Sequence, residues 1–374
     1  MYYRMVIKTT VKDYMNDISC DYIYSFYKAS HHLDRIKKLR KHQLIIPTQV
    51  QLDVTNECNQ HCPYCIYRMN KNTGLNPNFN AHNYIPFKRM VNLLNELREM
   101  GVPAIQYTGG GEPMYHPNFI EILKETIDRD FDWSLVTNGV TDELDELIKY
   151  LKEATWIRVS VDASCAETYK KTHGTSVSDF DKVLNFIRTL VQETSQTTVG
   201  VSFLASPLNY KELIDTVKLF KDLGCANIRL SVIYTSRGIE LYKKNWGEIV
   251  ESAQKAKKLE TDSFKVFDAI YSHLQNLDTS KRDYKFCGYQ YFTAVIGADQ
   301  EVYPCCTLKY DKATSFGNLK ANTFKGVWFG KKHQAWLNSN YLQAVCDKHP
   351  CWMDSKNEFI GYLIKENPPH VNYI

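Results

Sequence analysis

The stretch TQVQLDVTNECNQHCPYCIYR, residues 48–68, governs how the rest of the chain is read. Its first seven residues, TQVQLDV (48–54), have the composition of a β-strand. Immediately after it, Cys58, Cys62 and Cys65 stand at C-x3-C-x2-C spacing. Three thiolates on one loop can hold three corners of a cubane cluster, and soft thiolates suit iron–sulfur clusters or zinc. A structural zinc site is normally closed by four ligands. A site left one ligand short keeps an iron open for a substrate or cofactor, whereas a zinc knuckle would draw its fourth ligand from elsewhere.

Outward from this loop, strand and helix patterns alternate. Strands are expected at AIQYT (104–108), WSLVT (133–137), WIRVSVD (156–162), TVGVSFL (198–204) and NIRLSVI (227–233). Between them, helical spacing of apolar residues runs through 86–101, 116–129, 141–153, 179–192 and 210–224. Six strands separated by five helices predict an α/β fold with a parallel sheet and right-handed crossovers. The natural closure is a partial (β/α)6 barrel; a flat doubly wound sheet satisfies the same pattern. In either form the loops after the strands converge on one face, where ligands are expected. Three segments besides the cysteine loop reach that face. TGGGEPMYHP (108–117) carries Gly109, Gly110 and Gly111, which allow close backbone approach, and Glu112, whose carboxylate can accept from an ammonium group. TNG (137–139) supplies Asn138. SVD (160–162) supplies Ser160 and Asp162, one alternation apart and so expected to point the same way along a strand. Cys165 follows on the same loop, while Cys225 lies at the opposite end of the sheet and reads as structural.

Composition limits the remaining choices. The 374 residues are 44% hydrophobic and 13% aromatic with 25 tyrosines, which supports a packed core and argues against disorder. A net charge of +4 is too small to imply a nucleic-acid partner; the one basic run, Arg35 to Lys41, reads first as a solvated helix face. No apolar run spans a membrane and no signal peptide is evident, so the chain reads as cytoplasmic, where its 11 cysteines bind metal more readily than they form disulfides. The expected organisation is a helical N-terminal extension (1–45), the barrel core (46–236), a charged helical connector (237–285), a second cysteine-bearing domain (286–353) and a tail (354–374). Cys20 has no evident partner.

In the second cysteine domain, Cys287 precedes TAVIGADQEVYPCC (293–306), a β-hairpin pattern with its turn at GADQ that delivers Cys305 to Cys287. Cys346 and Cys351 follow. Four cysteines suffice for one cluster or for a zinc ribbon, with Cys306 spare or exchanging roles with Cys305.

The C-x3-C-x2-C spacing after the first strand, Tyr64 just before the third cysteine, and a GGE segment one βα unit later resemble the radical S-adenosylmethionine (radical SAM) superfamily. The resemblance covers about residues 48–353. It implies a [4Fe–4S] cluster on Cys58, Cys62 and Cys65, with the methionyl group of S-adenosylmethionine on the open iron. An electron from the cluster then cleaves that cofactor to a 5′-deoxyadenosyl radical, which takes a hydrogen atom from substrate. It further implies Tyr64 near the adenine, Gly109, Gly110, Gly111 and Glu112 at the methionine amino group, and Asn138, Ser160 and Asp162 near the ribose or carboxylate. Cys165 could serve as a hydrogen-atom donor, as in peptide epimerases. The C-terminal region resembles the SPASM and Twitch domains of the same superfamily. That implies a second [4Fe–4S] cluster on Cys287, Cys305, Cys346 and Cys351. Two departures stand out: five cysteines instead of seven or more, and Gln300 where the family usually has glycine. The resemblance implies an electron donor such as flavodoxin or ferredoxin. A peptide or protein side chain is the first substrate expectation, then dehydrogenation or rearrangement of a sugar or nucleoside, then a nucleic-acid base. A zinc-binding structural or regulatory protein is the non-enzyme alternative.

Overall fold

The structure is a computed structural model and describes residues 25–68, 76–233, 238–278, 282, 284–366 and 368. Cys20, the first 24 residues and part of the KENPPH run lie outside them.

Six parallel strands follow in sequence and in space: β1 (Gln49–Asp53), β2 (Ala104–Thr108), β3 (Asp132–Thr137), β4 (Trp156–Ser160), β5 (Thr198–Ala205) and β6 (Asn227–Val232). Helices Phe87–Glu99, Phe119–Ile127, Leu144–Leu151, Ser178–Glu193 and Leu213–Asp222 connect them. The five expected helices are all present; four are trimmed at their ends by a turn or less, and the expected 179–192 is one residue longer at each end.

Strand alternation sets the character of the two faces. Outward positions are apolar: Val50, Leu52, Ile105, Leu135, Ile157, Val159, Val201, Ile228 and Leu230 are each at most 1% exposed, packed in one cluster with Leu94, Ile122, Ile187 and Val217 from the helices. Each such side chain contributes about 1.5–3 kcal/mol by leaving water. Inward positions are polar: Gln49 and Gln51, Gln106 and Thr108, Ser134, Arg158, Thr198, Asn227 and Arg229 line a cavity of about 510 Å³. The lumen therefore carries polar groups and open space, unlike the side-chain-filled interior of a closed eight-stranded barrel. Gly200 is one place where glycine is required, since a Cβ there would sit 2.4 Å from the Asn227 side-chain oxygen.

The connector differs from expectation. Residues 237–285 are not wholly helical, because β7 (Lys265–Asp268) lies between helices Trp246–Lys257 and Ile270–Asp278 and pairs in parallel with β6. Charged neighbours hide this short strand in the sequence; in the fold it extends the sheet by one more parallel unit. The expected hairpin forms from β8 (Thr293–Ile296) and β9 (Glu301–Tyr303), with β10 (Gly317–Asn318) beside β9. β8 pairs in parallel with β1, so the C-terminal cysteine region and the barrel share one open ten-stranded sheet with β7 and β10 at its edges.

Gln300, at the hairpin turn, has φ +67°, in the left-handed region that glycine enters without penalty. This accounts physically for the residue that the resemblance leads one to expect there. Gln300→Gly should raise stability by about 0.5–1 kcal/mol, the relief of left-handed strain less the added unfolded-state entropy. The urea midpoint measures it.

Helix Leu33–Arg40 buries Ile36 and Leu39. Arg35 and Arg40 donate to the carbonyls of Ile46 and Leu363, and Lys37 faces Asp34 on the surface. The basic run is thus a docked helix with a solvated face. Among the described residues, no helix is long and apolar enough to cross a membrane.

Candidate functional site: two cysteine sets and a cavity in the sheet

The loop after β1 is anchored on three sides. The Gly111 amide donates to the Thr55 carbonyl (3.1 Å) and the Glu112 amide to that of Glu57 (2.9 Å), which zips the glycine loop onto the cysteine loop. A Cβ on Gly110 would come 2.2 Å from the Asn56 side-chain oxygen, and one on Gly111 would come 1.9 Å from the Glu57 carbonyl. These glycines are therefore demanded by the neighbouring loop, before any ligand is considered. Gly111→Ala should cost about 1–3 kcal/mol from overpacking against backbone. It should also lower the iron retained after reconstitution, read by iron assay beside a melting curve.

The Glu112 carboxylate is 3% exposed and accepts from Thr137 Oγ1 (2.6 Å), the Asn138 amide (2.7 Å) and the Met114 amide (3.2 Å). Burial raises its pKa to about 7 against the pull of those donors. It ties the ends of β2 and β3 together. Asn138 in turn donates to Asn59 (2.7 Å) and lies 4.0 Å from the Cys58 sulfur, so the third strand end touches the thiol directly.

On the other flank Tyr64 donates to Asp162 (2.9 Å), whose second oxygen accepts from the Leu204 amide (2.6 Å). Asp162 has φ +54° and lies beyond the end of β4. This corrects the expectation that it continues the strand alternation with Ser160: the left-handed turn rotates Asp162 inward to a buried position. Ser160 remains on the strand, half-buried. His173 sits 3.9 Å from Asp162, but burial lowers its pKa to about 3, so the two form no ion pair. The Tyr169 ring stacks on His173 (4.1 Å), and Gln60 donates to the Tyr169 hydroxyl (2.8 Å).

A third anchor had no signal in the sequence. Lys309, from the C-terminal cysteine region, donates to both oxygens of Asp53 at the end of β1 (2.8 and 2.6 Å), and both residues are at most 1% exposed. The Tyr310 hydroxyl contacts Asp53 (2.7 Å) and Asn56 (2.5 Å). The lysine ammonium also lies 4.8 Å from the Tyr67 ring centre, within cation–π range. A lysine and an aspartate 256 positions apart show no pattern; only the packing of β8 on β1 brings them together.

The first three thiols sense one another. Burial, then the charges of Glu112 and Cys65, push Cys58 up to about 11. Cys62 is raised further by burial and by Cys65, Asp162 and Cys58. Both shifts disfavour the free thiolates, and a bound cationic metal cluster would favour them. Among the described residues, no three Cys, His, Asp or Glu side chains converge on a single ion. Thiolates on a cubane occupy its separate corners, and three thiols on one loop, each within electrostatic range of the others, are a donor set of the type such a group takes.

The second set behaves alike. Burial and the charges of Cys306, Cys346, Cys351 and Cys287 raise Cys305 well above the ordinary thiol value. Burial raises Cys287 to about 11 and Cys346 to about 12. Arg282 holds the loop between the last two cysteines, donating to the carbonyls of Cys346 (2.5 Å) and His349 (2.7 Å) and to Asp354 (3.1 Å). The Met353 amide donates to the Cys351 sulfur (3.3 Å). Cys306 instead lines the lumen beside Tyr289 and Lys309. Cys165 is exposed, 3.8 Å from Glu212, and Cys225 is buried.

Two family models match the chain: the radical SAM superfamily over residues 52–220, and an iron–sulfur cluster-binding domain of the SPASM type over residues 287–352. A probable GTP 3′,8-cyclase from Methanocaldococcus jannaschii is 30% identical over 219 residues, 58% of this chain and 69% of the relative. This chain belongs to the radical SAM superfamily. It is also similar to a tungsten-containing aldehyde ferredoxin oxidoreductase cofactor-modifying protein from Pyrococcus furiosus, 21% identical over 317 residues, 79% of this chain and 85% of that one. Among solved structures, Streptococcus suis SuiB bound to its precursor peptide SuiA shares the fold with a TM-score of 0.60 at 14% identity, over 86% of this chain and 76% of that one. The anSMEcpe structure with bound AdoMet does so with a TM-score of 0.58 at 14% identity, over 84% and 95%. As a radical SAM enzyme with a SPASM domain, the protein works with a [4Fe–4S] cluster, S-adenosylmethionine and auxiliary iron–sulfur.

Proposed function

We propose that this radical SAM enzyme takes a hydrogen atom from a small molecule held in the barrel lumen, between the two cysteine sites. The observation that carries the reading is the cavity itself. It reaches from Thr108 and Tyr67, beside the first cysteine loop, to Cys306 and Tyr289 of the SPASM region. Its volume of about 510 Å³ suits a small ligand, and its lining combines polar strand residues such as Gln51, Gln106 and Ser134 with the rings of Tyr67, Trp156 and Tyr289. In this reading Cys58, Cys62 and Cys65 hold the catalytic cluster, and Cys287, Cys305, Cys346 and Cys351 hold the auxiliary one. The cluster and S-adenosylmethionine together supply a primary carbon radical. The protein's part is to orient and to exclude water. The Gly109–Gly111 backbone and Ser160 line the cofactor's side. Glu112, Asp162 and the Tyr64 hydroxyl hold the surrounding loops in register. Gln49, Gln51 and Gln106 form a hydrogen-bonded belt (2.5 and 3.2 Å) that orients the substrate from the lumen wall.

A peptide or protein side chain, the first expectation from the sequence, is supported by the shared fold of SuiB, a protein seen with a precursor peptide. Here it would require one side chain to enter the lumen. The test is anaerobic turnover of the reconstituted protein with S-adenosylmethionine and a reductant, followed by 5′-deoxyadenosine. A dialysable cell fraction should stimulate its formation. Stimulation by the non-dialysable fraction alone would favour the peptide.

A further inference from the structure

Among the carboxamides that line the lumen, one is left over. Gln106 accepts from Gln49 (2.5 Å) and Gln51 (3.2 Å), and Gln51 also donates to the Tyr289 hydroxyl (3.2 Å). Asn227, the first residue of β6, is 3% exposed, and its side-chain oxygen Oδ1 has no hydrogen-bond partner among the described residues. Buried polar atoms are nearly always paired, and an unpaired one opposes folding. The register of the sheet shows where this group lies. Arg158, Gly200 and Asn227 are paired neighbours on β4, β5 and β6, so their side-chain positions share one face of the sheet. That face is the lumen: all three line the cavity, while the alternate residues Val159, Val201 and Ile228 belong to the outer core. A Cβ on Gly200 would point into the lumen and meet Asn227 Oδ1 at 2.4 Å, Cγ at 2.8 Å and Nδ2 at 3.0 Å. The Asn227 carboxamide therefore lies across the lumen side of Gly200, with both of its polar atoms at the cavity wall.

The chemistry of that side chain selects what can face it. A carboxamide offers an acceptor oxygen and a donor nitrogen side by side in one plane. Its complement is a group of the same kind, in which a carbonyl oxygen stands beside an N–H. The two then pair through two parallel hydrogen bonds, as asparagine does with the edge of a base. A carboxylate has no N–H to give Oδ1, and a lone hydroxyl satisfies one of the two atoms only. A protonated amine would stand across Gly200 from Arg158, whose guanidinium rests 5.7 Å from the Trp156 ring centre, and like charges one or two strands apart (about 5–10 Å) repel. An uncharged amide edge meets none of these objections.

Resting on the reading of the lumen as the substrate site, we infer that Asn227 determines specificity by pairing with an amide edge of the substrate, a carbonyl beside an N–H as in a lactam or a primary carboxamide. The substrate N–H donates to Oδ1 and its carbonyl accepts from Nδ2, while Gly200 leaves the carboxamide room to lie flat. The remainder of the molecule extends toward Thr108 and Tyr67, beside the first cysteine loop. The backbone of an extended peptide does not fit this arrangement, because a trans peptide bond points its carbonyl and its N–H to opposite sides.

The test uses the reconstituted holoprotein with δ-valerolactam as probe. Its N-methyl derivative is the control, since it keeps the ring and the carbonyl and lacks the N–H. Ligand-observed NMR should show saturable binding of the lactam and about ten-fold weaker binding of the derivative, the loss expected when a hydrogen bond is removed and Oδ1 is again left unpaired. This comparison needs no substitution, and absence of binding, or equal binding of the two, overturns the inference. Asn227→Ala should weaken the lactam by about ten-fold, and Asn227→Asp should not restore it, because its second oxygen faces the carbonyl. Gly200→Ala should weaken it as well by displacing an intact Asn227. Free of ligand, Asn227→Ala should match or exceed the urea midpoint of the parent, because it removes an unpaired buried group. A lowered midpoint marks a structural role and overturns the inference. The two readings fail separately. If the dialysable fraction drives formation of 5′-deoxyadenosine and the lactam does not bind, only the amide inference fails. If no fraction drives it, the radical reading of the site fails, whatever the lactam does.

Discussion

Cys58→Ala abolishes formation of 5′-deoxyadenosine and removes about four of about eight iron atoms per chain. The thiol is one of three on a loop that is fastened at the glycine segment, at Asn138 and at Asp162, so its neighbours cannot shift to replace it. With two local thiolates left, the cluster loses the corner beside Asn138 Nδ2. The Cys287, Cys305, Cys346 and Cys351 set lies in the loops of the C-terminal region and is expected to keep its iron. Iron and sulfide assays, circular dichroism and chromatography of the cleavage products test this together. Undiminished 5′-deoxyadenosine from the variant, or zinc in place of iron in the unmutated protein, would sink the assignment of these thiols.

Lys309→Met lowers stability by about 3–5 kcal/mol, the usual consequence of leaving a buried charge without its partner. Asp53 is 0% exposed and is left with the Tyr310 hydroxyl and no cation. The double variant Asp53→Asn with Lys309→Met recovers most of the loss, since a neutral buried pair demands far less desolvation. The exposed Lys182–Asp142 pair serves as the control: Lys182→Met leaves the urea midpoint where it is. A second effect is specific to this position. Because Tyr310 bridges Asp53 and Asn56, loosening the pair frees the start of the cysteine loop, and iron at the first site becomes more readily chelated. A single variant as stable as the parent would mean that the pair does not lock the two regions together.

Much of the site was legible because its signals are local. Cysteine spacing and glycine-rich loops are written in consecutive residues, and so is a hairpin turn such as GADQ. Glu112 and Asp162 were legible as residue types at strand ends; their partners were not. Their hydrogen bonds come from Thr137, Asn138, Leu204 and Tyr64, each brought in by a different βα unit. The polar groups of the lumen did leave a trace, in the alternation of QVQLD, AIQYT, NIRLSV and WIRVS. A barrel strand apolar on one face and polar on the other implies a hydrated interior. Reading that alternation would have singled out Gln51, Gln106, Arg158 and Arg229.

By itself, then, the sequence determined the parallel α/β succession, the two cysteine sets and the radical SAM family, since each depends on spacing within a few dozen residues. Tertiary structure decided what lies between the two sets. The pairing of β8 on β1 seats Lys309 on Asp53, and the packing of the first described helical turn on the last helix brings Lys28 and Lys356 to one cavity. Residues separated by more than 250 positions share no periodicity and no motif. They meet because apolar faces elsewhere on their elements must be buried, and the lining of the lumen follows from that burial.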